Sequence, residues 1–450
     1  MSLPLRFGVA TSAYQVEGAA AEGGRGPSIW DTFTARPGTV LDGSDGSVAC
    51  DSYHRGADDL ALLTELGVDS YRFSIAWPRV QPDGSGAVNP EGLDYYSRLV
   101  DDLLAAGIQP LPTLYHWDLP QPLEEAGGWP ARDTTCRFAD YAGLMAGALG
   151  DRVSTWSTHN EPWCTAFLGY AAGVFAPGRS EPANAYLAAH HTLLSHALAA
   201  DAMHAVTPGA QVGIVLNLYD VRTEPEGDPR ATAVVDAGQN GLWLDALCHG
   251  RYPEVLSTGH LLPSGAPLAG LEDDLARIHG SAQWIGVNYY TPYRVGPHGP
   301  GGGVGQDTDA FPGAPPFTFT PRPPLTAMGW EIDAAGLEQV LARVAAAAPG
   351  IPLKVTENGA SFPDTVRSDG RVQDDDRIAY FKAHLEAVDR ARAAGAPVED
   401  YVAWSLLDNF EWAQGYTQTF GLVSVEPGTL RRVPKASFSW YAEHLRSRRG

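Results

Sequence analysis

The feature that most constrains this chain is a unit that recurs along its length. An amphipathic helix stops at a glycine, and a short apolar strand follows that ends in polar or aromatic residues. ELGVDSYRFSIAW turns at Gly67, AAGIQPLPTLYHW at Gly107, ALGDRVSTWSTHNEP at Gly150, TPGAQVGIVLN at Gly209, APGIPLKVTENG at Gly350 and AAGAPVEDYVAWSLLDNF at Gly395. An opening strand at Phe7 to Ala10 and WIGVNYY from Trp284 bring the series to the eight parallel strands of an α/β fold, the closed (β/α)8 TIM barrel. Stripes such as Phe138, Tyr141, Met145 and Leu149, or Leu187, His191, Leu194 and Leu198, supply helix faces to lie on those strands. An open doubly wound sheet would share the alternation, but no G-x-G-x-x-G follows the first strand. Barrels commonly exceed ordinary domain size, so residues 1–450 read as one domain with extended loops after the strands. Gly296 to Pro324, rich in glycine and proline, reads as a long loop at the C-terminal end of the sixth strand, over the mouth of the barrel.

Composition narrows what such a barrel can meet. An apolar share of 44% with 19% charged residues belongs to a folded chain with a large core. With 31 basic against 53 acidic residues, the net charge of −22 repels phosphate backbones and anionic lipid, which leaves neutral small molecules as expected partners and disfavours nucleic acid and membrane. The opening MSLPLRFGVA lacks the pattern of a signal peptide, and a cytoplasmic location is expected. Cys50, Cys136, Cys164 and Cys248 form no C-x-x-C pair and read as buried free thiols.

Barrels place function where strands end at the C-terminal face. Glu161 closes the fourth strand in THNEP and Glu357 the seventh in TENG, so the two face each other across the mouth. Cleaving a glycosidic bond requires a proton for the departing oxygen and negative charge at the anomeric carbon, which one carboxylic acid and one carboxylate supply. A single glutamate at a strand end would more simply be a solvated carboxylate; the pair is what points to chemistry.

The segments FGVATSAYQVEGA, YRFSIAWPR, LYHWDLPQ, THNEPW, NYYTP, GWEI, TENG, WSLLDNFEWAQGY and FGLV, from Phe7 to Val423, resemble the family 1 glycoside hydrolases, the β-glucosidase family. The resemblance implies a retaining O-glycosidase with Glu161 as acid/base and Glu357 as nucleophile, acting on non-reducing terminal β-glucosyl residues. It implies that Gln15, His116, Trp117, Asn160, Asn288, Tyr290, Glu411, Trp412 and Phe420 surround the sugar, with Trp404 beneath its ring, and that Trp163 and Trp330 line the leaving-group side. Amides, carboxylates and flat aromatics are the side chains a sugar's hydroxyl belt and apolar face require.

Arg72, inside the second strand, needs a buried anion. The resemblance makes that anion Glu357, with Tyr290 as a second donor, and both should keep the nucleophile's pKa low while charge repulsion raises that of Glu161. Carboxyl groups roughly 5 to 5.5 Å apart are the retaining expectation. Relatives that act on 6-phosphosugars are expected to carry Ser and Lys near the place of Glu411, Trp412 and Gln414, and a carboxylate there would repel phosphate. The intact Glu161 points to O-glycosides rather than thioglucosides. No histidine spacing suggests a metal, and no cofactor is implied. A sugar-binding barrel without catalysis and a transglycosidase sharing the first half-reaction are the rival readings; the oligomeric state is left open.

Overall fold

The computed structural model describes residues 4–257, 270–299, 308–368 and 370–449. Eight parallel strands close into a barrel in chain order: β1 (Arg6–Ala10), β2 (Ser70–Ser74), β3 (Gln109–Tyr115), β4 (Thr155–Asn160), β5 (Gln211–Asn217), β6 (Trp284–Asn288), β7 (Leu353–Asn358) and β8 (Val398–Trp404). Closure is made by β8 against β1, with Phe7 opposite Tyr401 and Ala10 opposite Trp404. Around them lie α1 (Ser52–Leu66), α2 (Pro90–Ala105), α3 (Arg132–Leu149), α4 (Pro182–Val206), α5 (Leu271–Ile278), α6 (Ala334–Ala347), α7 (Asp375–Ala393) and α8 (Ala436–Arg449). The last helix returns to the first strand, where the Tyr441 hydroxyl donates to the Gly8 carbonyl.

The glycine stops divide into two physical kinds. Gly67, Gly107, Gly350 and Gly395 have φ of 70°, 76°, 81° and 104°, the left-handed conformation that ends a helix at little cost only without a Cβ. Gly150 instead keeps a helical φ of −69°, and it is small for lack of space: a Cβ there would lie 2.3 Å from the Ala146 carbonyl oxygen. Gly209 meets neither condition, since an added Cβ would find nothing within 4 Å and its φ is not positive.

The α3 stripe holds, with Phe138, Tyr141, Met145 and Leu149 all buried. For α4 the expected stripe gives way to burial on most faces. Leu187 and Leu198 are half-buried while Ala188, Ala189, Thr192, Leu193 and Ser195 between them are buried, because α3, α5 and the segment after β4 all pack on this helix. The described parts of the expected loop from Gly296 carry strand pairing and aromatic packing. Tyr293–Gly296 pairs with Val221–Thr223 on one side and Thr318–Phe319 on the other, and Phe311, Phe317 and Phe319 cluster against Tyr293. Residues 300–307 of that stretch lie outside the described residues.

Candidate active site

The strand ends at the C-terminal face bring both glutamates into one hydrogen-bonded cluster. Glu357 is the last but one residue of β7, and Glu161 follows β4, where its amide donates to the Val215 carbonyl of β5 and so continues the sheet ladder by one step. Immediately after, Cys164–Ala171 forms a π-helix, a widened turn that often sits at functional sites. Glu161, Trp117 and Trp412 have φ of 46°, 76° and 51°, an unfavourable conformation for side-chain-bearing residues and one that clusters here around a single cavity. Gly359 lets the chain leave β7 beside β8, since a Cβ at that position would meet the Trp404 carbonyl oxygen.

The two carboxyl groups are held in different ways. Arg72 donates through Nη1 to Glu357 Oε1 at 2.6 Å, and the Tyr290 hydroxyl donates to Oε2 at 2.6 Å. Glu161 receives only neutral donors: Asn288 Nδ2 on Oε1 at 2.7 Å and the Cys164 thiol on Oε2 at 3.1 Å. A continuous chain links them, because Arg72 Nη2 and Asn288 Nδ2 both donate to Asn160 Oδ1, at 2.7 and 3.1 Å. Thr356 Oγ1 donates to Asn288 Oδ1 at 2.7 Å and so fixes which end of that amide faces Glu161.

Burial acts on both acids. Glu161 is pushed up to about 8, first by its removal from water and then by the charge of Glu357. Sequence reasoning had named the repulsion alone, and the larger cause is desolvation. Glu357 is also raised above the usual carboxylate range, which corrects the expectation of a low nucleophile pKa: its loss of water outweighs the opposing pull of Arg72 and Tyr290. Even so, it is the carboxyl that receives the guanidinium, so it ionises ahead of its neighbours. Glu411 is pushed up to about 8 by burial and by the charges of Glu357 and Glu161.

Around these groups lie the residues that the resemblance assigns to the sugar. Gln15 is fixed by Ser12 Oγ on its Oε1 at 2.6 Å, and its Nε2 reaches the Phe410 carbonyl at 2.9 Å and Glu411 Oε2 at 3.5 Å. His116 lies nearly parallel to both Trp404 and Trp412, at ring separations of 6.0 and 5.9 Å, and contacts Asn160 Nδ2 through Nε2 at 3.1 Å. Trp117 donates to the Asn160 carbonyl at 2.9 Å and packs on Trp412, so it shapes the wall through its neighbours. Phe420, Tyr290, Trp404 and Trp330 form one aromatic cluster.

The chain matches Glycosyl hydrolase family 1 over residues 4–449. It is a family 1 glycoside hydrolase. This hydrolase is 48% identical to the bifunctional β-D-glucosidase/β-D-fucosidase of Bifidobacterium breve, a match covering 98% of this chain and 96% of that protein. It is 46% identical to the thermostable β-glucosidase B of Thermobispora bispora, over 98% of this chain and 89% of that one. The family 1 β-glucosidase from Thermotoga maritima superposes with a TM-score of 0.91 at 39% identity, covering 99% of each chain. As a member of this family the hydrolase is of the β-glucosidase type and acts with retention.

Trp163 departs from its expected place. It is fully buried against Phe167 and Phe311, so it does not line an open entrance. Trp330 remains partly exposed beside Tyr290. Sequence reasoning missed Cys164, Asn217 and Thr356. The one available signal was spacing, since Cys164 falls three residues beyond Glu161, where a helical turn brings side chains together.

Proposed function

We propose that Glu357 is the nucleophile and Glu161 the acid/base for hydrolysis of non-reducing terminal β-D-glucosyl residues of O-glycosides and short oligosaccharides. The observation that carries these roles is the asymmetry of donors. The cation and the phenol both serve Glu357, while Glu161 has neutral donors alone. In the first step a Glu357 oxygen forms a bond to the anomeric carbon as the glycosidic bond breaks, and the proton of Glu161 passes to the departing oxygen. Esterified Glu357 no longer repels charge on Glu161, which now takes a proton from water as that water attacks the anomeric carbon and releases Glu357. Gln15, His116, Asn160, Glu411 and Trp412 are assigned to the sugar hydroxyls and Trp404 to its apolar face. Trp330 is assigned to the leaving group.

The acidic surface supports a neutral small-molecule substrate, and the four free cysteines support a cytoplasmic location. Among the described residues no helix is long and apolar enough to cross a membrane. The test is a panel of nitrophenyl β-glucoside, β-fucoside and β-galactoside with cellobiose, including the fucoside because the Bifidobacterium relative is named for both activities. Glu357→Gly and Glu161→Ala are then run with azide on a dinitrophenyl glucoside. Azide should yield the α-glucosyl azide from the first variant and the β-glucosyl azide from the second. The same anomer from both, or full activity in either variant without azide, overturns the assignment.

A further inference from the structure

We propose that Cys164 is a positioning residue for this reaction: its neutral thiol, held by Asn217, polarises the oxygen of Glu161 that carries the catalytic proton and sets the pH range over which that proton is available. This rests on Glu161 being the acid/base. The two oxygens of Glu161 are not equivalent. Oε1 faces Asn288 Nδ2, which can only donate, so a proton placed there would oppose an N–H. The transferable proton therefore belongs on Oε2, and the side chain in contact with Oε2 is Cys164, at 3.1 Å from Sγ. Asn217 Nδ2 donates to the sulfur from the other side at 3.5 Å, which leaves the thiol hydrogen directed to Oε2. Asn217 is itself anchored at the end of β5, where Gln239 Nε2 donates to its carbonyl at 2.7 Å.

Sulfur suits an oxygen that must alternate between two states. While Oε2 is protonated, the weakly accepting sulfur does not capture its O–H, which stays free to point at the glycosidic oxygen; a hydroxyl would compete for it. Once the proton has moved to the leaving group, the S–H donates to the new carboxylate and stabilises it. The thiol hydrogen stays on sulfur throughout, because burial and the adjacent Glu161 hold the thiol pKa far above its ordinary value. The other charged or titratable groups facing Glu161 are Glu357 from β7, Arg72 from β2, Glu411 after β8, and the phenols of Tyr290 and Tyr293 after β6. All are retained in the variants below.

The experiment is the pH profile of kcat/KM for an alkyl β-glucoside, whose poor leaving group needs the acid, in Cys164→Ala, Cys164→Val and Cys164→Ser. Loss of the donor destabilises the Glu161 carboxylate, so the alkaline limb of the Ala and Val variants should move up by roughly 0.5 pH unit, and the stronger hydroxyl donor should move it down in Cys164→Ser. Asn217→Leu should follow Ala and Val with a smaller shift. With a dinitrophenyl glucoside, which leaves without protonation, the four profiles should lose these differences. Superposable limbs for the alkyl glucoside, or shifts of one sign in Ala and Ser alike, overturn the proposal, and the two apolar variants guard against a single one that fails to fold. Glu161→Ala separates the two readings. If it cleaves the alkyl glucoside as well as the parent, the acid/base assignment falls. If its kcat/KM falls for the alkyl substrate alone, its kcat on the dinitrophenyl glucoside still dropping for want of the base, while the Cys164 limbs stay put, the Cys164 proposal alone falls.

Discussion

The two ends of the barrel solve opposite electrostatic problems with the same residue types. At the N-terminal end, Asp400 of β8 receives Arg6 Nε and Nη2 at 2.8 Å each and is also paired with Lys354 of β7, and its pKa lies below the ordinary value although burial opposes this. At the C-terminal end, the Arg72 guanidinium is paired with Glu357 while Glu161 and Glu411 make no ion pair among the described residues, and all three pKa values are raised. Burial alone therefore does not decide the charge state of a carboxyl group here. The count of cations per carboxyl does: Arg6 and Lys354 serve the two neighbours Asp400 and Glu399 at the structural end, and there is one cation for three carboxyls at the catalytic end. A barrel built for stability alone would balance both ends, and the deficit of cations at the mouth is what keeps a proton on Glu161 near neutral pH.

The comparison breaks most visibly at Glu357. Glu357→Gln removes the proposed nucleophile and should lower kcat by about 10⁴-fold or more, read on nitrophenyl β-glucoside. Next comes Arg72→Met, which leaves Glu357 buried beside Tyr290 without its cation. Its folded pKa then rises further, so kcat should fall by about 10²-fold or more and the acid limb of kcat/KM should move to higher pH, because the nucleophile must be ionised. Unchanged acid limbs in this variant would separate Arg72 from the ionisation of Glu357. At the opposite end, Lys354→Met should leave kcat and the pH profile as they were and cost stability alone. Arg6 still serves Asp400, so the loss should be about 2 kcal/mol, below the usual 3–5 kcal/mol for a broken buried pair, measured by denaturant unfolding. A changed pH profile in Lys354→Met would mean that the two ends are coupled.

Sequence showed clearly what short-range pattern determines. The strands, their order around the ring and the placement of Glu161 and Glu357 at strand ends all follow from helix stops and apolar runs, each carried by a few adjacent residues. Quantities set by the assembled surroundings were not legible. That the pKa of Glu357 rises depends on how completely β2, β6 and β7 remove it from water, which no motif encodes. Trp163 looked like an entrance residue until Phe311, more than a hundred positions away, was found packed on it. Cys164 read only as a buried free thiol because its partner Asn217 arrives from another strand. Gly150 matched the helix-stop pattern for the wrong reason, being small to admit Ala146 and Thr207 rather than to turn the chain.

The smallest effect tests the cation deficit as a cost to the fold. A carboxyl group whose folded pKa lies above its unfolded value binds more protons in the native state, so stability declines as pH rises from the unfolded pKa through the folded one. For Glu411, pushed up to about 8, that window runs from the ordinary carboxylate range to about pH 8, and above it the full penalty is present. Glu411→Gln keeps the shape and discards the charge, so it should be neutral for stability near pH 4 and stabilising near pH 9. Because Glu411 is only half-buried, solvent reduces the gain, and a rise in Tm of about 2 °C at the higher pH is expected. The same substitution at the other end should act in reverse, since Asp400→Asn discards a carboxylate whose pKa is lowered and should destabilise at pH 9 while costing less at low pH. Equal Tm changes at both pH values for both variants would remove charge state as the difference between the two ends.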